Sequence, residues 1–444
     1  MLVVLLGVTG GVTVPLVVST LSAVAEGARS SAADLETADP AAVGVSVERL
    51  ARLDAGMQRM VDEGKLAGIV TLLARHGKLV FADVVGHQNV SAGVPMARDS
   101  IFKIYSMTKP ITGVALMMLY EEGKFRLHDP VSKYIPELAN LQVHVGDTAD
   151  GRPKLEDANR SMTMAELMSH GGGFAYGLGP ATHVDRLYLE HDVLNLDTSM
   201  QTMIDKLSTL PLLAQPGTRW YYSIGVDVQG YLVEKLSGQP FADFLQTRIF
   251  DPLGMVDTAF YVPPEKIDRV ALTYGIDNQG QFEAIDQADP GAFPYGYAQM
   301  RTETPGLPSG GGGLWGTADD YLRFTQMLLN GGELDGVRLL APRTVEMMRT
   351  NHLSAEALPT MRPGTGFGLD FAVVHDPNAA GEPYAQGSYY WGGAAGTWFW
   401  IDPATDLTFV GMIQFMDFDP NDAAVVQEVQ GISRNLVYQA VTAP

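Results

Sequence analysis

The sequence predicts an α/β protein in which one sheet-containing domain is closed by segments from both ends of the chain and carries an α-rich insertion. Three observations carry this. β-rich runs stand early, at 69–75 and 79–85. Strand signals return late, at 371–374, 397–401 and 408–414. Between them, from about 125 to 300, short helical patterns alternate with Pro and Gly loops. The boundaries drawn are 43–125 and 301–444 for the sheet domain and 126–300 for the helical one. With 444 residues, 46% of them hydrophobic and 18% charged, the chain has ample apolar material for a core, which excludes disorder over most of its length.

Taken in order, residues 1–25 carry no charged side chain and end in Ala23-Val24-Ala25, a small-x-small pattern. They read as a cleaved secretory signal, which predicts export to a periplasm or medium. With no Lys or Arg among these residues, the competing readings are an uncleaved anchor or a cytoplasmic protein. Residues 26–42, rich in Ala, Ser, Asp and Glu, read as a linker. Leu50, Leu53, Met57, Met60 and Val61 recur at helical spacing, with Ser46 as N-cap and Gly64 as the stop. The runs 69–75 and 79–85 flank His76-Gly77 and predict a hairpin. A third strand at 101–105 leads into a helix from about 106 to 122, ended by Gly123. Another helix follows Gly310–Gly313 at 319–329, and one at 423–437 closes the chain. After residue 25 no run of 18 uninterrupted apolar residues occurs, so the body is not expected to insert stably in a membrane.

Composition removes several functions. Lys and Arg total 30 against 51 Asp and Glu, a net charge of −21 that repels phosphate backbones; no nucleic-acid partner is expected. The absence of cysteine excludes disulfides, thiol nucleophiles, thiolate zinc sites and iron–sulfur clusters.

Ser106-Met107-Thr108-Lys109 matches S-x-x-K. Residues three apart on a helix share a face, so the Lys109 amine can reach the Ser106 hydroxyl, and a serine at a helix start sits where an oxyanion is favoured. The bland reading is an ordinary N-cap. A second match, Ser100-Ile101-Phe102-Lys103, falls on the third strand, where its two ends face opposite ways, and is rejected. A general base is needed next. Trp220-Tyr221-Tyr222-Ser223-Ile224 follows a turn at Pro216-Gly217-Thr218 and precedes a helix; its aromatics are either core or, for Tyr222, functional. His183 and His191 stand eight apart on a possible helix; a metal there is conceivable. Without H-E-x-x-H the pattern reads as a solvated polar face, and no metal or cofactor is predicted. Phe174, Tyr176, Tyr389, Tyr390 and Trp398 are either pocket lining or core.

In their order and spacing these motifs resemble the serine β-lactamase-related family: class C β-lactamases, D,D-peptidases and family VIII carboxylesterases. The stretches carrying the likeness are 101–110, 127–138, 167–174, 216–238, 250–260, 310–329 and 390–403. The resemblance implies an α/β sandwich with an antiparallel sheet, flanked by N- and C-terminal helices, plus a mostly helical domain with the active site between. It implies Ser106 as acyl-accepting nucleophile, Lys109 as its activating partner, Tyr222 as base, and the N–H groups of Ser106 and Ala394 as oxyanion hole. Two departures bear on substrate. Ile224 replaces the lactamases' Asn, and Trp391-Gly392-Gly393 takes the place of Lys-Thr-Gly; no lysine follows Lys266. Trp391, Gly392, Gly393, Ile224 and Tyr390 are therefore expected to bind a neutral, small-molecule ester. Hydrolysis of carboxylic esters of short to medium acyl chain is the expected activity. The alternatives are a β-lactamase, D,D-peptidase or transesterase using the same acyl-enzyme, or a non-catalytic acyl-binding or penicillin-sensing module.

Overall fold

A computed structural model describes residues 34–149, 151–179, 181–276, 282–285, 299–416 and 424–442. The expected signal segment, 1–25, lies outside the described residues. Helices are numbered in chain order: α1 Val47–Asp62, α2 Thr108–Glu121, α3 His183–Glu190, α4 Gly225–Ser237, α5 Ala318–Leu329 and α6 Ala424–Ala440. The main-sheet strands are β1 Gly68–Arg75, β2 Lys78–Asn89, β3 Val94–Pro95, β4 Thr365–Phe367, β5 Ala372–Val374, β6 Tyr389–Gly392, β7 Trp398–Asp402 and β8 Leu407–Met412.

These strands form one antiparallel sheet in the order β4-β5-β6-β7-β8-β1-β2-β3. Strand β1 is central and buried along its whole length, because both of its faces are covered. Ile69 and Leu73 join a core under α1 and α6, with Leu53, Met57, Trp400 and Phe409. Val70, Leu72 and Ala74 face a second, larger core. The sheet domain is thus a sandwich: α1 and α6 on one side, α5 on the other, and α2 and α4 packed together beyond it. The first hairpin turns at His76 (φ 51°) and Gly77 (φ 73°), both left-handed, as a tight two-residue turn between twisted strands requires. Ser46 caps α1 by accepting from Arg49 N, and Gly64 (φ 69°) ends its C-terminal turn.

Several expectations shift. The third predicted strand shrinks to Phe102–Lys103 and pairs with Trp315–Gly316, outside the main sheet. Between 126 and 300 the chain also forms hairpins, Gln142–Asp147 with Pro153–Asp157 and Tyr274–Ile276 with Phe282–Ala284, which the helical reading lacked. Of the expected linker, residues 36–38 pair with β2, where Leu79 N donates to Glu36 O and Ala38 N to Leu79 O, and Pro40–Val43 forms a 3-10 turn. Among the described residues no helix is long and apolar enough to cross a membrane.

Candidate active site

Helix α2 is the pivot. Every residue from Thr108 to Leu119 is buried, so the helix runs through the protein rather than along its surface. Pro110 lies in its first turn, where a missing N–H costs least. A 3-10 turn, Tyr105–Met107, feeds the helix and carries Ser106. Tyr105 has φ 42°, an uncommon conformation for a bulky residue and a strained one directly before the candidate nucleophile. The turn is pinned from outside: Tyr321 Oη donates to Met107 O at 2.9 Å, and Ile104 N to Leu314 O at 3.1 Å.

Lys109, one helical turn on, is fully buried, and its amine donates to Tyr176 Oη (2.8 Å), Gly311 O (2.6 Å) and Ser106 Oγ (3.3 Å). Three hydrogens meet three acceptors. Tyr222 Oη donates to Ser106 Oγ at 2.7 Å, and the Lys109 amine lies over the Tyr222 ring, 4.5 Å from its centroid. The three side chains named from sequence therefore meet around one hydroxyl. Ser106 and Tyr222 are half-buried and open to a ligand; Lys109 is not.

Tyr222 is held by both of its neighbours. Tyr221 Oη donates to Asp185 Oδ2 (2.8 Å) and Tyr221 N to His170 O (3.1 Å). On the other side, His170 Nδ1 accepts from Ser223 N (3.2 Å) and lies 2.9 Å from Ser223 Oγ. Burial and the nearby positive Lys109 hold the His170 imidazole well below its ordinary range, so this ring is neutral. Two carboxyls lie behind Lys109. Asp227 accepts from Ser309 Oγ and from Gly311 N (3.0 Å); burial pushes it up, and Lys109 and these donors oppose the shift. Asp370 accepts from Gln229 Nε2 (3.0 Å), and burial raises it strongly against the pull of Gln229 and Lys109.

The glycine loop 310–313 is buried and turns two carbonyls to α2, where Gly310 O accepts from Thr112 and Gly311 O from Lys109, while Gly313 O accepts from Lys103 on the short strand before it. A Cβ at Gly311 would overlap Asp227 Oδ2, so only glycine lets this backbone pass. The rejected second motif stays apart: Ser100 Oγ donates to Gln88 Oε1 (2.8 Å), while Lys103 turns to Gly313 O (3.0 Å).

The expected ligand-binding residues divide. Trp391, half-buried on β6, packs its ring against Tyr222 (centroids 5.4 Å) and Phe367 (5.2 Å) beside the hydroxyl. Trp220 and His170 complete an aromatic wall around Tyr222. Gly392 and Gly393 lead into the turn after β6, and a Cβ at Gly393 would overlap Ile104 O and Thr397 Oγ1. That close approach sets Gly393, the neighbour of the exposed Ala394, against the backbone of Ile104, two residues before Ser106. Two expectations are corrected. Ile224 is fully buried in the core and offers no surface to a ligand, because the chain turns inward there to begin α4. Tyr390 stacks on Tyr384 (5.1 Å) on the opposite side of β6 from Trp391, as the two-residue repeat of a strand dictates. Phe174, Tyr389 and Trp398 are core residues. Tyr176 is the exception, a direct partner of Lys109. Neither Tyr176 nor Gly311 stands at a motif spacing from Lys109, so no sequence signal marked them as its acceptors.

The family model of the beta-lactamases, described as "Beta-lactamase", matches residues 53–430. Protein Rv1367c of Mycobacterium tuberculosis is 37% identical over 382 residues, 84% of this chain and 92% of that protein. Esterase EstB of Burkholderia gladioli is 33% identical over 385 residues, covering 83% and 92%. Among solved structures, EstCE1, described as a hydrolase with promiscuous acyltransferase activity, superposes with a TM-score of 0.72 at 28% identity, over 88% of this chain and 98% of its own.

Proposed function

The chain belongs to the beta-lactamase family of serine hydrolases, and from that premise we propose that it is a carboxylesterase working through an acyl-enzyme on Ser106. One observation carries the proposal: the Ser106 hydroxyl, met by Tyr222 at 2.7 Å and Lys109 at 3.3 Å, opens beside an aromatic wall that holds Trp391 at the place of the Lys-Thr-Gly lysine. A substrate carboxylate finds no lysine partner at Trp391, whereas a neutral acyl or alkoxy group finds an apolar face. The esterase named among the relatives supports the same reading.

In the proposed reaction Tyr222 reacts as the phenolate, its own proton given up to solvent beforehand, and the Ser106 oxygen attacks the ester carbonyl carbon as the serine proton passes to that phenolate oxygen. The Lys109 amine, which donates to Ser106 Oγ and lies over the Tyr222 ring, is the electrostatic partner of this pair. The oxyanion of the tetrahedral intermediate is held by the N–H groups of Ser106 and Ala394. Tyr222 returns the proton to the departing alkoxide as the carbon–oxygen bond breaks. Water then adds to the acyl-enzyme by the same route, releasing acid and restoring the serine. An alcohol in place of water gives a transesterase, and the acyltransferase activity described for EstCE1 favours keeping this as the second reading.

The test is a panel of p-nitrophenyl esters (acetate to octanoate) together with nitrocefin, on wild type and Ser106→Ala. Ester turnover far above nitrocefin turnover, lost in Ser106→Ala, is expected. Fast nitrocefin hydrolysis with weak ester cleavage makes the protein a lactamase instead. Stoichiometric acylation without turnover makes it a sensor.

A further inference from the structure

Away from the nucleophile, two elements well separated in the chain bring three metal-ligating groups together. The hairpin strand Gln142–Asp147 supplies His144 and Asp147; the first residue of α3 supplies His183. One donor atom from each lies within 4.8 Å of the others. The two imidazoles stack nearly parallel (centroids 4.8 Å, 9° between planes), and each turns a nitrogen toward the same carboxylate oxygen. His144 Nε2 is 3.0 Å from Asp147 Oδ1 and His183 Nδ1 is 3.6 Å from it. His191, which the sequence paired with His183, sits exposed at the far end of the helix and takes no part.

The protein alone leaves His183 unsatisfied. Its Nδ1 is beyond hydrogen-bond reach of Asp147, and its Nε2 is buried without a partner among the described residues. Around a tetrahedral zinc ion, with bonds of about 2.0–2.1 Å, neighbouring ligand atoms stand about 3.3 Å apart; the two nitrogen–carboxylate separations bracket that value, and ion binding would turn the stacked imidazoles so that their in-plane lone pairs converge. Two imidazoles and one carboxylate are a borderline-soft donor set suited to Zn²⁺ and its neighbours rather than to Mg²⁺ or Ca²⁺. The side chain of Asp147 is 45% exposed, so the fourth position opens to water. Arg186, one turn along α3, is the cation that also acts on Asp147, and a dication competes with it for that carboxylate.

We propose that His144, Asp147 and His183 form a binding site for one divalent transition-metal ion of the Zn²⁺ class, which clamps the 142–157 hairpin to the start of α3. The clamp has a reason to be there. Two residues further along α3, Asp185 accepts from Tyr176 N (3.1 Å), Gly177 N (2.9 Å) and Tyr221 Oη (2.8 Å), so this helix end also positions the segments that carry Tyr176 and Tyr222.

The test is titration of tag-free, chelator-treated protein with ZnCl₂ against a chromophoric zinc chelator, with thermal melts beside it. The proposal expects one equivalent bound and a higher melting temperature with zinc. Binding should be weakened about tenfold or more in His183→Ala and in Asp147→Asn, and unchanged in His191→Ala. Melts without metal show that each variant is folded, and Asp147→Asn preserves shape should His183→Ala be unstable. No bound equivalent, or wild-type binding in both ligand variants, overturns it.

Discussion

Replacing Tyr222 with phenylalanine separates two roles that the site geometry offers for its phenol. The ring stays, so the contacts to Trp391 (5.4 Å), Tyr176 (5.2 Å) and His170 (5.0 Å) stay, and stability should change little. Only the hydroxyl 2.7 Å from Ser106 Oγ is lost. If Tyr222 is the base, removing it forfeits general-base catalysis, about 10²–10⁴-fold in kcat. If Lys109 is the base and Tyr222 merely a hydrogen-bond partner, the loss is one neutral bond, about 0.5–1.5 kcal/mol, or roughly two- to thirteenfold. The geometry favours the first, since the amine of Lys109 is already committed to Tyr176 Oη and Gly311 O. The two ranges do not overlap. Initial rates with p-nitrophenyl butyrate on wild type, Tyr222→Phe and Ser106→Ala decide between them. A Tyr222→Phe enzyme within about tenfold of wild type, with Ser106→Ala inactive, refutes the assignment of the base.

Three further outcomes follow from the same contacts. Tyr176→Phe removes one of the three acceptors of the Lys109 amine; a hydrogen bond to a charged group is worth about 1.5–3 kcal/mol, so kcat should fall about ten- to a hundredfold with little change in KM, and a loss under twofold contradicts this. Gly393→Ala forces a methyl onto Ile104 O and Thr397 Oγ1 beside the nucleophile's turn; ester turnover should drop and the melting temperature fall by the equivalent of about 1–3 kcal/mol, while an unchanged melt and rate show that the turn can yield. Burial pulls Lys103 from 10.5 to about 7, so the unfolded chain keeps a proton that the folded one sheds between those values. Stability from this group therefore rises with pH above about 7, and urea melts from pH 6 to 9.5 should show wild type gaining stability relative to Lys103→Met as the pH is raised; parallel profiles contradict the shift.

The parts of the site written in local spacing are legible in the chain alone. Ser106 and Lys109 stand one turn apart on a strong helical pattern, and the order of motifs singles out Tyr222. What fails is direction. Ile224 follows Tyr222 by two residues, but the chain begins α4 there and buries that side chain; a boundary shift of one residue separates a pocket wall from a core position. Tyr390 and Trp391 are neighbours, yet a strand sends them to opposite sides. The sandwich's outer helices and the first hairpin are readable from periodicity and from His76-Gly77. The short hairpins are not, since two to six residues are too few to show an alternation. Gly311 and His144 are out of reach for another reason: each acquires its role from a partner distant in the chain, Lys109 for one and His183 for the other.

Helix α2, enclosed on every side, ties the reacting hydroxyl and its amine to the part of the molecule whose amides should exchange with deuterium last. Trp391 and Trp220, by contrast, stand part-exposed on the rim, near the end of a strand and in a loop. Chemistry and selectivity thus reside in layers of unequal rigidity. Recutting the rim for bulkier esters should leave the reacting pair in register, and loss of activity on heating should coincide with global unfolding rather than precede it.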